Sequence, residues 1–129
     1  MNKTFLITAS LLGALAVALG AFGAHGLKKI VDSDTVSTFQ TGVQYQMYHS
    51  LALLVVGILL EKFPNRSTKA AGTCFILGIV LFSGSLYALT FLKATDRVGL
   101  DGIGIITPFG GLAFILGWIF LCLGIVRKP

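Results

Sequence analysis

The stretch Gly102–Val126, GIGIITPFGGLAFILGWIFLCLGIV, runs 25 residues without a charged side chain. Its length decides its fate. An α-helix rises about 1.5 Å per residue, so about 20 apolar residues cross a hydrocarbon core about 30 Å thick. Three more such gaps precede it: Thr4 to Leu27 (24 residues), Thr35 to Leu60 (26) and Ala70 to Leu92 (23). All fifteen charged residues of the 129-residue chain fall in the short clusters between and around these gaps. Lipid offers no partner for an exposed peptide group, so each gap is expected to be a helix. A transmembrane barrel would instead show alternating strands of about 10 residues.

The reading is an all-α integral membrane four-helix bundle, one domain over residues 1–129. Its helices are expected at about 5–26, 35–61, 70–92 and 108–126. No soluble catalytic head fits in the remainder, so the chain is not expected to be an enzyme, and no cofactor is called for. The net charge of +5 is a topology signal. Lys3, Lys62, Arg66, Lys69, Arg127 and Lys128 share one side with a single acid, Glu61. Lys28, Lys29, Lys93 and Arg97 share the other with Asp32, Asp34, Asp96 and Asp101. Cytoplasmic loops carry the excess of Lys and Arg, so both termini are expected in the cytoplasm of a multi-pass inner-membrane protein. The same charge attracts anionic lipid, and nucleic acid is not an expected partner. A signal peptide is disfavoured because the apolar stretch Phe5–Ala24 exceeds a signal core of about 7–15 residues. Cys74 and Cys122 lie inside apolar segments without CxxC spacing and read as reduced packing residues.

Small residues mark helix contacts. In lipid, association relies on close packing and polar contacts, so glycine seams point to interfaces. Gly13, Gly20 and Gly84 are such positions, as are Gly110, Gly117 and Gly124, which recur every seven residues. These seams exceed what one compact bundle needs, and a homo-oligomer or a larger membrane complex is expected. Ser33 or Asp34 is the expected cap of the second helix, and Thr107 that of the fourth, with Pro108 in its first turn. Val36, Phe39, Val43, Met47 and Leu51 form an apolar stripe opposite Gln40 and Gln44.

Polar residues gather in the half of the bundle away from the termini. His25 ends the first span. Gln44, Tyr45, Tyr48 and His49 lie on the second, and Ser83, Ser85 and Tyr87 on the third. Polar groups in hydrocarbon face the bundle interior or a wet cavity. Two readings of His49 stand side by side. One is structural, with Tyr and Ser hydroxyls satisfying the ring and fixing helix register. The other is a ligand or proton-handling site for a lipid, quinone, haem or neutral solute, formed by His49, Tyr45, Tyr48, Gln44, His25, Ser83, Ser85 and Tyr87. His25 and His49 without further ligands make a poor metal site. No acid inside a span is available to orient a catalytic base or couple an ion.

The run GAFGAHGL (Gly20 to Leu27) and the run FQTGVQYQMYHSLALL (Phe39 to Leu54) resemble the YgdD/YwdK-like small membrane proteins. So do LFSGSLY (Leu81 to Tyr87) and ITPFGG (Ile106 to Gly111), followed by Gly117 and Trp118. This is a bacterial domain-of-unknown-function family with eukaryotic relatives. The resemblance implies a multi-span inner-membrane protein and supplies no reaction or catalytic residue.

Overall fold

Three of the four membrane-length helices start on the same device, an Asn or Asp whose side-chain oxygen takes the amide three residues on. The computed structural model describes residues 1–95 and 101–127; Asp96, Arg97, Lys128 and the side chain of Asp101 lie outside the described residues. Asn2 caps α1, Lys3–His25, by accepting from Phe5 N at 3.0 Å. A 3-10 turn, Leu27–Lys29, follows. Asp32, rather than Ser33 or Asp34, caps α2, Ser33–Leu59, accepting from Thr35 N at 3.0 Å. Asn65 caps α3, Arg66–Ala94, accepting from Thr68 N at 3.0 Å. These caps satisfy amides that no preceding turn can serve. They also start the helices one to four residues before the charge-free gaps, because a charged residue in the first turn does not stop a helix. Thr107 does not cap α4, Ile106–Val126, which follows directly on a 3-10 turn, Asp101–Ile105. Pro108 still falls in the first turn, where its missing N–H leaves no bond unmade.

α3 is interrupted once. Ile79–Ser83 forms a π-helical turn between α-helical Arg66–Gly78 and Gly84–Ala94. All four helices are long and apolar enough to cross a membrane.

The helices pair as two antiparallel hairpins. In the first, Asn2 N donates to Gly57 O, Gln46 Nε2 to Leu12 O and Gln40 Nε2 to Gly20 O, which fixes the register of α1 on α2. In the second, Gly110, Gly117 and Gly124 of α4 face Phe82, Phe75 and Thr68 of α3, seven residues apart on both sides. A Cβ on Gly117 would sit 2.6 Å from the Phe75 ring, and one on Gly110 or Gly124 would meet the α3 backbone. The seven-residue repeat on both helices is the spacing of a left-handed coiled seam. Asn65 Nδ2 donates to Gly124 O at 2.8 Å and Arg127 Nη1 to Ser67 Oγ at 2.9 Å, closing the same end.

The hairpins join mainly through α2 and α3, with Phe5 of α1 packed on Gly72 of α3 and Phe114 and Trp118 of α4 reaching α2. One core cluster, with Phe5, Leu53, Val56, Phe75 and Phe114, fills the end near the termini. A smaller one, with Ala16, Leu27, Phe39 and Val43, fills the loop end. Both termini therefore emerge on one side, together with Lys3, Glu61, Lys62, Arg66, Lys69 and Arg127. Outward-facing Ile7, Leu11, Leu15, Ile115 and Ile119 are exposed. In water such a surface would aggregate; in lipid it matches its surroundings.

The apolar stripe of α2 is displaced from expectation. Leu51 is 55% exposed, whereas Gln46, His49 and Ser50 are buried beside Phe39, Val43 and Leu53. In a bilayer the greasy face can turn to lipid, and the polar face is the one that must hide.

Candidate functional site

Among the described residues, Gln46 is the only long polar side chain fully buried, at 1% exposure, and it serves three helices. Its Nε2 donates to Leu12 O of α1 at 2.8 Å, and its Oε1 accepts from Tyr87 Oη of α3 at 2.6 Å. The partners fix the amide orientation, since a carbonyl only accepts. One turn on, Ser50 Oγ donates to Gln46 O. One turn back, Gly42 O accepts from Ser83 Oγ at 2.6 Å. Gly42 is needed there, because an added Cβ would lie 2.9 Å from the Tyr87 ring. Ser83 is the last residue of the π turn, whose extra residue sets the register that aims it at Gly42.

His49 forms the second tie between the hairpins. Its Nδ1 lies 2.7 Å from Tyr45 O, and Trp118 Nε1 donates to its Nε2 at 3.1 Å. Carbonyl oxygens only accept and indole nitrogens only donate, so Nδ1 carries the hydrogen and Nε2 is bare. The ring is neutral and both nitrogens are used. It stacks on Phe114 with centroids 3.6 Å apart and planes within 10°, and Phe75 lies at 5.5 Å. Phe114 and Trp118 reach across from α4. Expectation had Tyr and Ser hydroxyls around His49; an indole and a backbone carbonyl take their place. Among the described residues, no buried side-chain nitrogen or oxygen lacks a partner.

The sequence-derived candidates divide by helical phase. His49, Ser83, Ser85 and Tyr87 turn inward and are hydrogen-bonded. Ser85 Oγ donates to Phe82 O and pairs with Thr107 Oγ1 at 2.5 Å. Tyr45 is 38% exposed; its ring packs on Phe82 and its carbonyl, not its hydroxyl, reaches His49. Gln44 and Tyr48 lie about 200° around α2 from Gln46 and are exposed, at the 100° per residue of an α-helix. His25 is exposed at the end of α1. The register that sets Gly20 against Gln40 brings His25 level with the start of α2, about 20 Å along the axis from His49. The two histidines cannot share an ion.

Depth also differs from expectation. Gln46 is the midpoint of α2, and His49 lies beyond it toward the termini, so the His49–Trp118 pair sits at mid-membrane rather than in the loop-side half. In the sequence Gln46 is one of a run of polar residues on the second span, with Gln44, Tyr45, Tyr48, His49 and Ser50, and nothing there singles it out, while Trp118 reads as a tryptophan too deep for the interface. Of the glycines, Gly110, Gly117 and Gly124 make close helix contacts and Gly20 meets Val43, while Gly13 and Gly84 have nothing within 4 Å. Cys74 is half-buried and Cys122 exposed, both free.

Residues 19–111 match the family described as "Protein of unknown function (DUF423)". The chain is 44% identical over 126 residues to the "UPF0382 membrane protein YwdK" of Bacillus subtilis, covering 97% of this chain and 98% of the relative. It is 40% identical over 124 residues to a "UPF0382 membrane protein" of Haemophilus influenzae, covering 96% and 94%. It is 36% identical over 126 residues to the "UPF0382 inner membrane protein YgdD" of Escherichia coli, covering 98% and 92%. No solved structure matches. With a family match over most of its length and membrane-protein relatives aligned almost end to end, the chain belongs to the DUF423 family.

Proposed function

We propose that this protein is a non-catalytic structural or accessory component of the inner membrane, with both termini cytoplasmic, that self-associates or joins a larger membrane complex. The observation that carries this reading is the pairing of the buried polar groups with other helices. Gln46, His49, Ser83 and Tyr87 each hydrogen-bond a neighbouring helix, and among the described residues no buried side-chain nitrogen or oxygen lacks a partner. The inner-membrane assignment draws on the basic termini side and on the name of the Escherichia coli relative. Self-association draws on Gly13 and Gly84, where an added Cβ would meet nothing within 4 Å in the monomer. Gly13 lines a groove of about 260 Å³ between α1 and α2 with Ala9, Ser10, Ala14, Val17 and Leu54.

The test is crosslinking of the full chain in native membrane: discrete multimers or a recurrent partner are expected, and monomers alone would sink the reading. A second reading, a lipid, quinone, haem or neutral-solute site at the polar cluster, is favoured by one observation. The π turn lies beside the cluster, and such turns are frequent at functional sites. His49→Ala distinguishes the two. Lower thermal stability in detergent fits the structural role, whereas unchanged stability with a lost cellular phenotype fits the site.

A further inference from the structure

The rim that carries the termini holds a feature separate from the His49 cluster. A cleft of about 530 Å³ opens there between the starts of α1 and α3. Lys3, Arg66 and Lys69 line it with Asn2, Pro64 and Asn65, and no acidic side chain contributes to its walls. The asparagine side-chain oxygens are committed elsewhere: Asn2 and Asn65 accept from Phe5 N and Thr68 N, and Asn65 also donates to Gly124 O. The charged side chains on the cleft are all cationic, Lys3, Arg66 and Lys69, with the amino-terminal residue Met1 beside them. Their placement is electrostatically unfavourable, because the first turn of a helix favours acids and repels cations. Neither α1 nor α3 has an acid in its first turn. Three like charges around one concavity are a cost that an anion would remove. The depth fits as well, since these residues stand where the apolar spans end and lipid phosphates begin. Arg66 adds a planar fork suited to two phosphate oxygens.

We propose that this cleft binds a phosphate group, presented as the headgroup of an anionic phospholipid or as free phosphate. The chemistry is the same for both, a tetrahedral oxyanion held by Lys3, Arg66 and Lys69, and the source is read by experiment. The full chain is reconstituted in nanodiscs of phosphatidylcholine alone, or with added phosphatidylglycerol, and melted while the emission of its single tryptophan is followed. Phosphatidylglycerol is expected to raise the melting temperature of the wild type. Lys3→Gln/Arg66→Gln/Lys69→Gln is expected to lose more than half of that rise while melting normally in phosphatidylcholine. Lys28→Gln/Lys29→Gln, on the opposite rim, is expected to keep it. Inorganic phosphate is then added to the phosphatidylcholine sample: a matching rise assigns the free ion, and no rise assigns the lipid headgroup. If the triple variant does not fold, Arg66→Gln alone takes its place and must lower the rise. The proposal is overturned if neither phosphate source shifts the melt, if the triple variant keeps the full rise, or if the opposite-rim variant loses as much. Each readout is a difference between lipid compositions or between variants rather than a count of subunits, so it stands apart from the crosslinking result.

Discussion

His49 and Trp118 hold each other in place through a tautomer that the surrounding bonds dictate. Trp118→Phe leaves Nε2 without a donor. Interhelical hydrogen bonds in membrane proteins average about 0.6 kcal/mol and reach about 1.7, so a loss of about 1 kcal/mol is expected in a denaturation series in detergent. His49→Phe keeps an aromatic ring against Phe114 and should cost less than His49→Ala, which also opens a void. Because the chain has one tryptophan, a changed emission wavelength in either His49 variant reports directly on this contact. Asp32 offers a pH handle outside the membrane. Its hydrogen bonds to Thr35 hold its carboxyl below the usual value. A folded-state value below the unfolded one means that the charged form stabilises the start of α2. That contribution is complete above the unfolded pKa and vanishes as pH falls through the folded one. Asp32→Asn should therefore flatten the acid limb of the stability profile, and an unaltered limb would show that the cap is energetically silent.

At the scale of elements, the π turn and the glycine seam make opposite predictions. A π turn is an α-helix with one residue too many. Deleting Val80, which is 61% exposed, should restore a continuous α-helix while Ser83 and Phe75 keep their faces. Deleting Val55 from α2 offers no such relief and rotates everything beyond it by about 100°. The first variant should retain folded yield in membranes and the second should not. Gly117→Val should fail for a different reason, since its side chain would enter the Phe75 ring.

This is also the scale at which the sequence was most readable. The charge-free gaps located all four helices because ionic groups and lipid do not mix, and the seven-residue glycine spacing on α4 pointed to a contact. Helix starts were less readable, because Asn2, Asp32 and Asn65 cap within polar flanks that the gaps exclude. The inward face of α2 was read backwards in part, since apolar periodicity marks the core only where water is outside. Gln46 and the His49–Trp118 pair join residues far apart in the chain, so no local pattern could announce them.

For the whole molecule, reporter fusions at either end should both score as cytoplasmic. Both ends scoring as non-cytoplasmic would overturn the orientation read from the basic rim, and a split result would overturn the shared side of the two ends as well. Gly13→Leu should leave the monomer's melting temperature within a few degrees, because nothing packs there, yet deplete crosslinked species if the α1–α2 groove is the contact. Finally, Gln46 makes the hairpins interdependent. Were α1 to peel from α2, the amide that now bonds Leu12 would be stranded in oil, and were α3 to depart, so would the other end of the same group. None of α1, α2 and α3 can leave cheaply, and α4 is tied to α2 through Trp118 and His49. Pulled from one terminus, the chain should come out of the bilayer in one abrupt rupture rather than a staircase of helix-by-helix steps.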